Sequence, residues 1–286
     1  MKLATTQTGQ WTQSIAQSIE DNDFATFQHQ IAHTPNAAVL RNVLEKAIQH
    51  DREEMLFCAL EHKQAQLVRV ESLLDQCVHL RRPYTQRFLL WAVAHHSEAM
   101  GCQHLQRVVG HAARTDQLAL LRDNSDFIRQ HFNKQWYVQA TENRAWGCAE
   151  YLLEFVRDLD TWRRGLYNAA NAYNTEALQQ LLSRVPVGAR YGRERTMYAI
   201  AERLFDDHLD ERNGLVDAVA HDMLLLLLQD KSPRDFLNHC SLSSKVRRNY
   251  QTVFDFIATI QAQRQREVLV GHIQTEPSAS PPKKKI

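Results

Sequence analysis

The residues of this chain that could do chemistry are its 14 histidines, its five cysteines and one arginine-rich loop. His29 and His33 are one helical turn apart, and Cys58 and His62 share this spacing, which two metal ligands on one helix need. No second pair completes a four-ligand set, and the sequence contains no GxxxxGK[ST], GxGxxG, GxSxG or HExxH motif. We therefore predict no metal site, no catalytic residue and no bound cofactor.

A dipeptide in an apolar segment keeps one enzymatic alternative open. His221 and Asp222 are adjacent, and a His-Asp pair of this kind is used by all-helical metal-dependent hydrolases of the HD type, in which further His and Asp side chains complete the metal site. His208 and Asp255 are the residues of this chain that could complete it. An HD-like hydrolase is thus the enzymatic alternative to a binding protein.

The cysteines indicate packed thiols and not nucleophiles. A reactive thiol needs a nearby base and an electropositive setting, whereas Cys58, Cys102 and Cys148 stand among apolar residues. The five cysteines are an odd number, are widely spread and include no CxxC pair. We expect reduced, inert thiols in a reducing compartment.

The loop RVPVGARYGRER, residues 184–195, is the clearest candidate for binding. It holds two of the nine glycines and four arginines. Guanidinium groups recognise carboxylates and phosphates, and a tyrosine can stack on a base. We predict a partner-binding site formed by Arg190, Tyr191, Arg193 and Arg195, whose partner is a protein with an acidic surface. Nucleic acid is the alternative partner, but 34 basic and 33 acidic residues, a formal charge of +1, do not favour it.

Composition and periodicity predict that helices position these residues. The chain has only nine glycines and seven prolines, and it is rich in residues that favour helices. Apolar residues recur with helical spacing along most of the chain, and no segment alternates like a strand. One such stripe consists of Leu40, Val43, Leu44, Ala47 and Ile48. A second consists of Leu67, Val70, Leu74, Cys77 and Val78. The longest apolar run, residues 223–228, is too short to span a membrane.

A short pattern of small residues, a polar break and an apolar helix recurs along the chain. The clearest copies are AANAYNTEALQQLL from Ala169, AARTDQLALL from Ala112 and ATENRAWGCAEYLL from Ala140. Looser copies begin at Ile19, Ala47 and Ala94. Small residues at the end of one helix let a second helix pack closely, and a single hairpin cannot bury its apolar face alone, so such units must stack.

These copies resemble ankyrin repeats, whose pattern is roughly AAxxGHxEVVxLLL. The copy from Ala169 reproduces the alanine pair, Glu176 and the leucine run, with Tyr173 at the place of the turn glycine. The resemblance covers residues 14–186 and implies an all-α fold of stacked helical hairpins, an ankyrin-like α-solenoid, followed by a C-terminal helical cap or bundle. It also implies a non-enzymatic scaffold or adaptor for protein–protein interaction, with bacterial ankyrin-type effectors as the nearest parallel.

The domain organisation follows from where this pattern begins and ends. We predict an N-terminal lead-in over 1–13, helical-hairpin repeats over 14–186, a C-terminal helical cap over 187–270 and a disordered basic tail over 271–286. The N-terminus has no apolar core, so no secretory signal is expected. The predicted location is the cytoplasm, or a host cytosol reached without a classical signal peptide.

Overall fold

A computed structural model describes residues 2–34, 36–185, 192–210, 216–228, 231–239 and 243–275. Within these ranges the chain forms helices and turns, with no strand and a single isolated antiparallel bridge between Leu209 and Val216. The all-helical prediction is confirmed. None of the helices within these ranges combines the length and the apolar composition that a membrane span requires.

The chain divides into two compact units, Met1–Phe155 and Val156–Ile286. The repeat pattern of the sequence sets its boundary at residue 186, whereas these contacts group residues 156–185 with the helices that follow them. The helices of the first unit are α1 (Lys2–Glu20), α2 (Phe24–Ile31), α3 (Ala37–Gln49), α4 (Glu53–Leu60), α5 (Glu71–His79), α6 (Thr85–His95), α7 (Glu98–Arg114), α8 (Leu118–Asp123), α9 (Ser125–His131), α10 (Lys134–Glu142) and α11 (Trp146–Leu153). Those of the second unit are α12 (Leu159–Asn171), α13 (Thr175–Ser183), α14 (Arg193–His208), α15 (Ala218–Leu228), α16 (Pro233–His239), α17 (Ser244–Arg248) and α18 (Tyr250–Thr275).

The first unit is built from helical hairpins packed in sequence order. The hairpins are α1–α2, α3–α4, α5–α6, α7–α8 and α10–α11, and the two helices of each pack against one another. The first helix of each hairpin also packs on the first helix of the next, in the order α1, α3, α5, α7, α10. Each hairpin therefore covers the apolar face that its neighbour cannot bury alone.

One turn geometry recurs at about 30-residue intervals, a spacing typical of repeat proteins. In each turn a residue other than glycine has a left-handed backbone conformation, with φ between 51° and 60°. The next residue donates its N–H to the carbonyl five residues earlier, at 2.8–3.1 Å, which is the Schellman arrangement that ends helices. The left-handed residues are Asn22, Asp51, Arg81, Asp116, Arg144 and Tyr173. The carbonyls belong to the small buried residues Ser18, Ala47, Cys77, Ala112, Ala140 and Ala169.

The structure corrects two details of the sequence pattern. The copy that begins at Ala94 has no such turn, because His96 is extended (φ −115°, ψ 169°). A turn is present instead from Cys77 to Arg82, where a cysteine takes the place of the alanine. The inclusion of Leu67 in the α5 stripe was wrong: it lies in a separate short 3₁₀ helix and is 74 % exposed.

Side chains at these turns connect successive hairpins. Arg52 donates to the carbonyls of Ile19 and Glu20, both at 3.1 Å, and Arg82 donates to those of Ile48 (2.9 Å) and Gln49 (2.6 Å). Each guanidinium thus satisfies carbonyls that the end of the preceding hairpin's first helix leaves without a helical partner. A cation there also matches the negative end of the helix dipole.

The second unit is organised around α14, which packs against α12, α15, α16 and α17. Its core is aromatic: Trp162, Tyr198, Phe205 and Phe236 are almost fully buried. The Trp162 indole N–H donates to the Leu181 carbonyl at 3.1 Å, so the polar atom of this buried ring is satisfied.

Candidate functional site

Only half of the predicted arginine site can be located. Arg190 and Tyr191 lie outside the described residues. Arg193 and Arg195 are exposed in the first turn of α14, and neither forms a hydrogen bond or ion pair with another described residue. Positive charge at the start of a helix is opposed by the helix dipole. These two guanidinium groups therefore stand where they do not favour the fold and where a partner can reach them.

The histidines and carboxylates of the HD-like alternative have separate local roles. His208 Nδ1 lies 2.7 Å from Asp217 Oδ2, and its Nε2 lies 3.1 Å from the Tyr173 hydroxyl. His221 Nδ1 lies 3.3 Å from Asp222 Oδ1 at an exposed position. Within the described part of the chain, no three His, Cys, Asp or Glu side chains are arranged to hold a metal ion.

The cysteines that the structure describes are unpaired thiols. Cys77 and Cys148 are fully buried, and burial raises the pKa of both, to about 12 for Cys77. Burial and the nearby Glu61 carboxylate also raise the pKa of Cys58. These three thiols are held in the protonated form, which is a poor nucleophile. Cys240 lies outside the described residues.

A polar groove in the first unit is the site that the sequence did not indicate. It has a volume of about 350 Å³ and is lined by residues of α5, α7 and the start of α10. Its lining residues are Glu71, Gln103, His104, Gln106, Arg107, Asn133 and Trp136. Three successive first helices thus contribute to one surface, so the stacking of the hairpins brings these side chains together.

Arg107 is committed to an ion pair at the edge of this groove. Its Nε lies 2.8 Å from both carboxylate oxygens of Asp75, and its Nη2 also bonds Oδ2. His111 Nδ1 lies 3.8 Å from the same carboxylate. Burial alone would raise the pKa of Asp75, but the interactions with His111 and with the Arg107 guanidinium outweigh it and lower this pKa to about 2. The charge of Arg107 is therefore largely cancelled.

Glu71 supplies the carboxylate of the groove lining. It is half-buried in the first turn of α5 and forms no hydrogen bond or ion pair with any described residue. Its charge acts on the nearby Arg107, whose pKa it helps to raise, so the lining contains one carboxylate and one guanidinium of opposite charge. Asn133 is engaged as the cap of α10, where its side-chain oxygen accepts the N–H of Gln135 at 2.9 Å.

His104 is the most unusual residue of the groove. It is 1 % exposed, and neither ring nitrogen has a hydrogen-bond partner in the described structure. Its ring packs edge-to-face on His96, with the two centroids 5.1 Å apart. Burial, followed by repulsion from His96, lowers the pKa of His104, while the Glu71 carboxylate opposes this shift. At neutral pH the ring is uncharged and offers one acceptor nitrogen and one N–H donor.

Sequence reasoning missed the groove because its members are far apart in the chain. Glu71 and Trp136 belong to different hairpins, and only the packing of α5 on α7 and of α7 on α10 makes them neighbours. One local signal was available: His104 lies four residues before Val108, on the face of α7 that carries the buried Val108 and Ala112. A histidine within an apolar helical stripe needs a hydrogen-bond partner.

Comparisons with protein-family models, with curated proteins and with solved structures return no match.

Proposed function

We propose that this chain is a non-enzymatic scaffold or adaptor for protein–protein interaction, built as an ankyrin-like α-solenoid over residues 14–186 with a C-terminal helical cap over residues 187–270. The observation that carries the proposal is the recurrence of one turn in six hairpins, each with the same backbone hydrogen bond to the carbonyl of a small buried residue. Tyr173, which the resemblance aligns with the turn glycine of ankyrin repeats, has φ 51°.

A stacked array of hairpins suits this function because it presents a long surface without requiring catalytic chemistry. The raised thiol pKa values and the separate roles of His208 and His221 agree with a binding role. The unpaired thiols fit a reducing compartment, so we extend the proposal to the cytoplasm of the producing cell, or to a host cytosol if the chain is a bacterial effector.

The partner-binding residues in this proposal are Arg190, Tyr191, Arg193 and Arg195. The support for the last two is their exposure and their unneutralised charge at the start of α14. Guanidinium groups in this state favour a partner whose surface carries carboxylates.

The test is affinity capture with the full-length chain from nuclease-treated lysate, read by mass spectrometry and repeated with the purified partner. The variant changes Arg193 and Arg195 to Ala. Its matched control changes Arg122 and Arg129 to Ala, which removes the same charge from exposed positions of the first unit.

We expect one protein to be captured by the wild type and by the control, with at least tenfold weaker binding to the Arg193/Arg195 variant, which corresponds to about 1.4 kcal/mol. Equal loss in both variants would show a general charge effect and would contradict the assigned site. Recovery of nucleic acid and no protein when nuclease is omitted, with binding that falls steeply with salt, would replace the proposal by a nucleic-acid-binding function.

A further inference from the structure

Three polar side chains of the second unit form a hydrogen-bonded chain that ends at an exposed tyrosine. His208, the last residue of α14, has its Nδ1 2.7 Å from Asp217 Oδ2 and its Nε2 3.1 Å from the Tyr173 hydroxyl oxygen. An ionised carboxylate can only accept, so Nδ1 carries the proton, and the neutral ring has its free electron pair on Nε2, towards the tyrosine hydroxyl. A carboxylate, an imidazole and a hydroxyl in this order are the arrangement in which the imidazole removes the proton of a hydroxyl nucleophile.

The backbone holds the carboxylate and the imidazole of this chain in place. The antiparallel bridge pairs Leu209 with Val216, so the residues next to them, His208 and Asp217, lie opposite each other. Asp217 is also held at its other carboxylate oxygen, because Oδ1 accepts the N–H of Ala220 at 3.1 Å in the first turn of α15. The imidazole is therefore oriented by a carboxylate that is itself fixed at both oxygens.

Tyr173 is presented by one of the left-handed turns. The turn is closed by the Asn174 N–H, which donates to the Ala169 carbonyl at 3.1 Å. Tyr173 is 47 % exposed, and its ring packs edge-to-face on the His208 ring with the centroids 5.1 Å apart. The hydrogen bond between the two side chains is itself at the surface. A small reagent can thus reach the tyrosine from solvent while the imidazole stays in contact with its hydroxyl.

The charges beside Tyr173 favour an uncharged reaction partner. The lining of a small hollow next to the tyrosine includes Arg203 and Asp207. Arg203 Nε lies 3.6 Å from Asp207 Oδ2, so this guanidinium already faces a carboxylate. An anionic donor such as a phosphoryl compound would approach the carboxylates of Asp207 and Asp217, and Arg203 is not free to neutralise it. An uncharged ester meets no such repulsion.

We propose that Tyr173 is a modification site that accepts an acyl group from an uncharged activated ester, with His208 as general base and Asp217 as the residue that positions this base. In this step the tyrosine hydroxyl oxygen bonds to the carbonyl carbon of the ester, and its proton moves to His208 Nε2. The bond between the carbonyl carbon and the alcohol oxygen of the ester breaks, and the leaving alkoxide or phenolate takes up that proton. The products are an O-acyl tyrosine and one alcohol or phenol, and nothing is oxidised or reduced. The modification is independent of the scaffold function, because it needs no protein partner.

The experiment exposes the full-length chain to p-nitrophenyl acetate, an uncharged activated ester whose acetyl transfer releases coloured nitrophenolate. Peptide mapping by mass spectrometry measures the acetylation rate at each tyrosine. Tyr250 is the internal control, because it is 42 % exposed in the same unit, but its ring packs on Phe254 and it makes no hydrogen bond to a histidine in the described structure.

Two histidine variants form a matched pair. His208→Gln removes the base and keeps a side chain that can form a hydrogen bond with the tyrosine. His221→Gln is its control, since His221 Nδ1 also lies beside a carboxylate, 3.3 Å from Asp222 Oδ1, but its ring packs on Phe256. Circular dichroism establishes that each variant is folded, and the comparison of the two tyrosines needs the wild type alone.

We expect Tyr173 to be acetylated at least about tenfold faster than Tyr250, because general-base catalysis contributes a factor of this order or more. His208→Gln should reduce the rate at Tyr173 to the rate at Tyr250, and His221→Gln should leave it unchanged. Asp217→Asn should slow the reaction and should move part of the His208 proton from Nδ1 to Nε2, which nitrogen nuclear magnetic resonance of the ring detects.

Equal acetylation rates at Tyr173 and Tyr250 in the wild type would overturn the proposal. So would an unchanged rate in His208→Gln, an equal loss of rate in the two histidine variants, or a stable acetyl group on His208 in place of Tyr173. A slower reaction of Asp217→Asn with an unchanged His208 tautomer would contradict the positioning role of Asp217. Capture of a protein partner by a chain whose Tyr173 does not react would leave the scaffold function standing while the modification site fails.

Discussion

The left-handed turn residues give the sharpest test of the repeat geometry, and Arg144 is the best position for it. Arg144 has φ 60°, its side chain is exposed, and it forms no hydrogen bond or ion pair through that side chain with a described residue. A residue with a Cβ pays about 1–2 kcal/mol for this conformation. Glycine avoids this strain but loses about 0.5–1 kcal/mol more chain entropy on folding. Arg144→Gly should therefore raise the free energy of unfolding by about 0.5–1 kcal/mol.

The assay for this prediction is urea unfolding followed by far-ultraviolet circular dichroism, compared at equal slope. Arg144→Ala is the matched control, because it removes the same side chain and keeps the Cβ, and it should change the free energy by less than about 0.5 kcal/mol. Ala172→Gly is a second control: Ala172 precedes the left-handed residue of its turn and has φ −85°, so glycine there should destabilise by about 0.5–1 kcal/mol. A gain that is equal for glycine and alanine at position 144 would refute the strain argument.

Three further predictions test the connections between hairpins and the groove. Arg82→Met should lower the free energy of unfolding by about 2 kcal/mol, because two charged hydrogen bonds to helix-end carbonyls are lost. The control Arg129→Met removes an exposed ion pair and should change the free energy of unfolding by less than about 0.5 kcal/mol in the same urea assay. Asp75 has a folded pKa of about 2 against an ordinary 3.8, so the stability that it contributes is present above pH 3.8 and is lost as pH falls towards 2. Asp75→Asn should therefore flatten the acid-unfolding curve between pH 3.8 and 2, and an unchanged curve would contradict the ion-pair geometry. His104 has a folded pKa below its ordinary 6.5, so the wild type loses stability as pH falls below 6.5. His104→Leu should remove that loss and raise the free energy of unfolding at pH 7 by about 1 kcal/mol, measured by thermal and urea unfolding. A less stable variant would show that the imidazole has a structural partner.

The sequence predicted the turns well where the determining residue is small and local. Ala112, Ala140 and Ala169 mark three of them, because a small residue at that carbonyl permits the close approach of the second helix. The turn at Cys77 was missed because cysteine packs there as alanine does, and periodicity alone does not show this equivalence. The copy at Ala94 was a false match, since its small residues are followed by an extended His96 and not by a left-handed residue.

The candidate sites were less predictable, for a different physical reason. Arg193 and Arg195 are neighbours in the chain, so composition alone pointed to them. The groove depends on Glu71, His104 and Trp136 meeting across three hairpins. That meeting requires the stacking register of α5 on α7, which Arg81 of the α5–α6 turn helps to set by donating to the Thr115 carbonyl at 2.9 Å, and that of α7 on α10. No pattern within one hairpin contains this information.

Local costs in this chain fall into two kinds, and the difference supports the assignment of function. The strain of the left-handed residues is offset within the fold, because each turn gains a Schellman hydrogen bond and Arg52 and Arg82 satisfy the carbonyls of the preceding hairpin. No such compensation accompanies the unpaired nitrogens of His104 or the positive charges that oppose the dipole of α14. Costs that the fold leaves without compensation are expected where a protein meets its ligand. The first kind thus belongs to the geometry of the hairpin turns, and the second includes Arg193 and Arg195, which we propose as part of a partner-binding site.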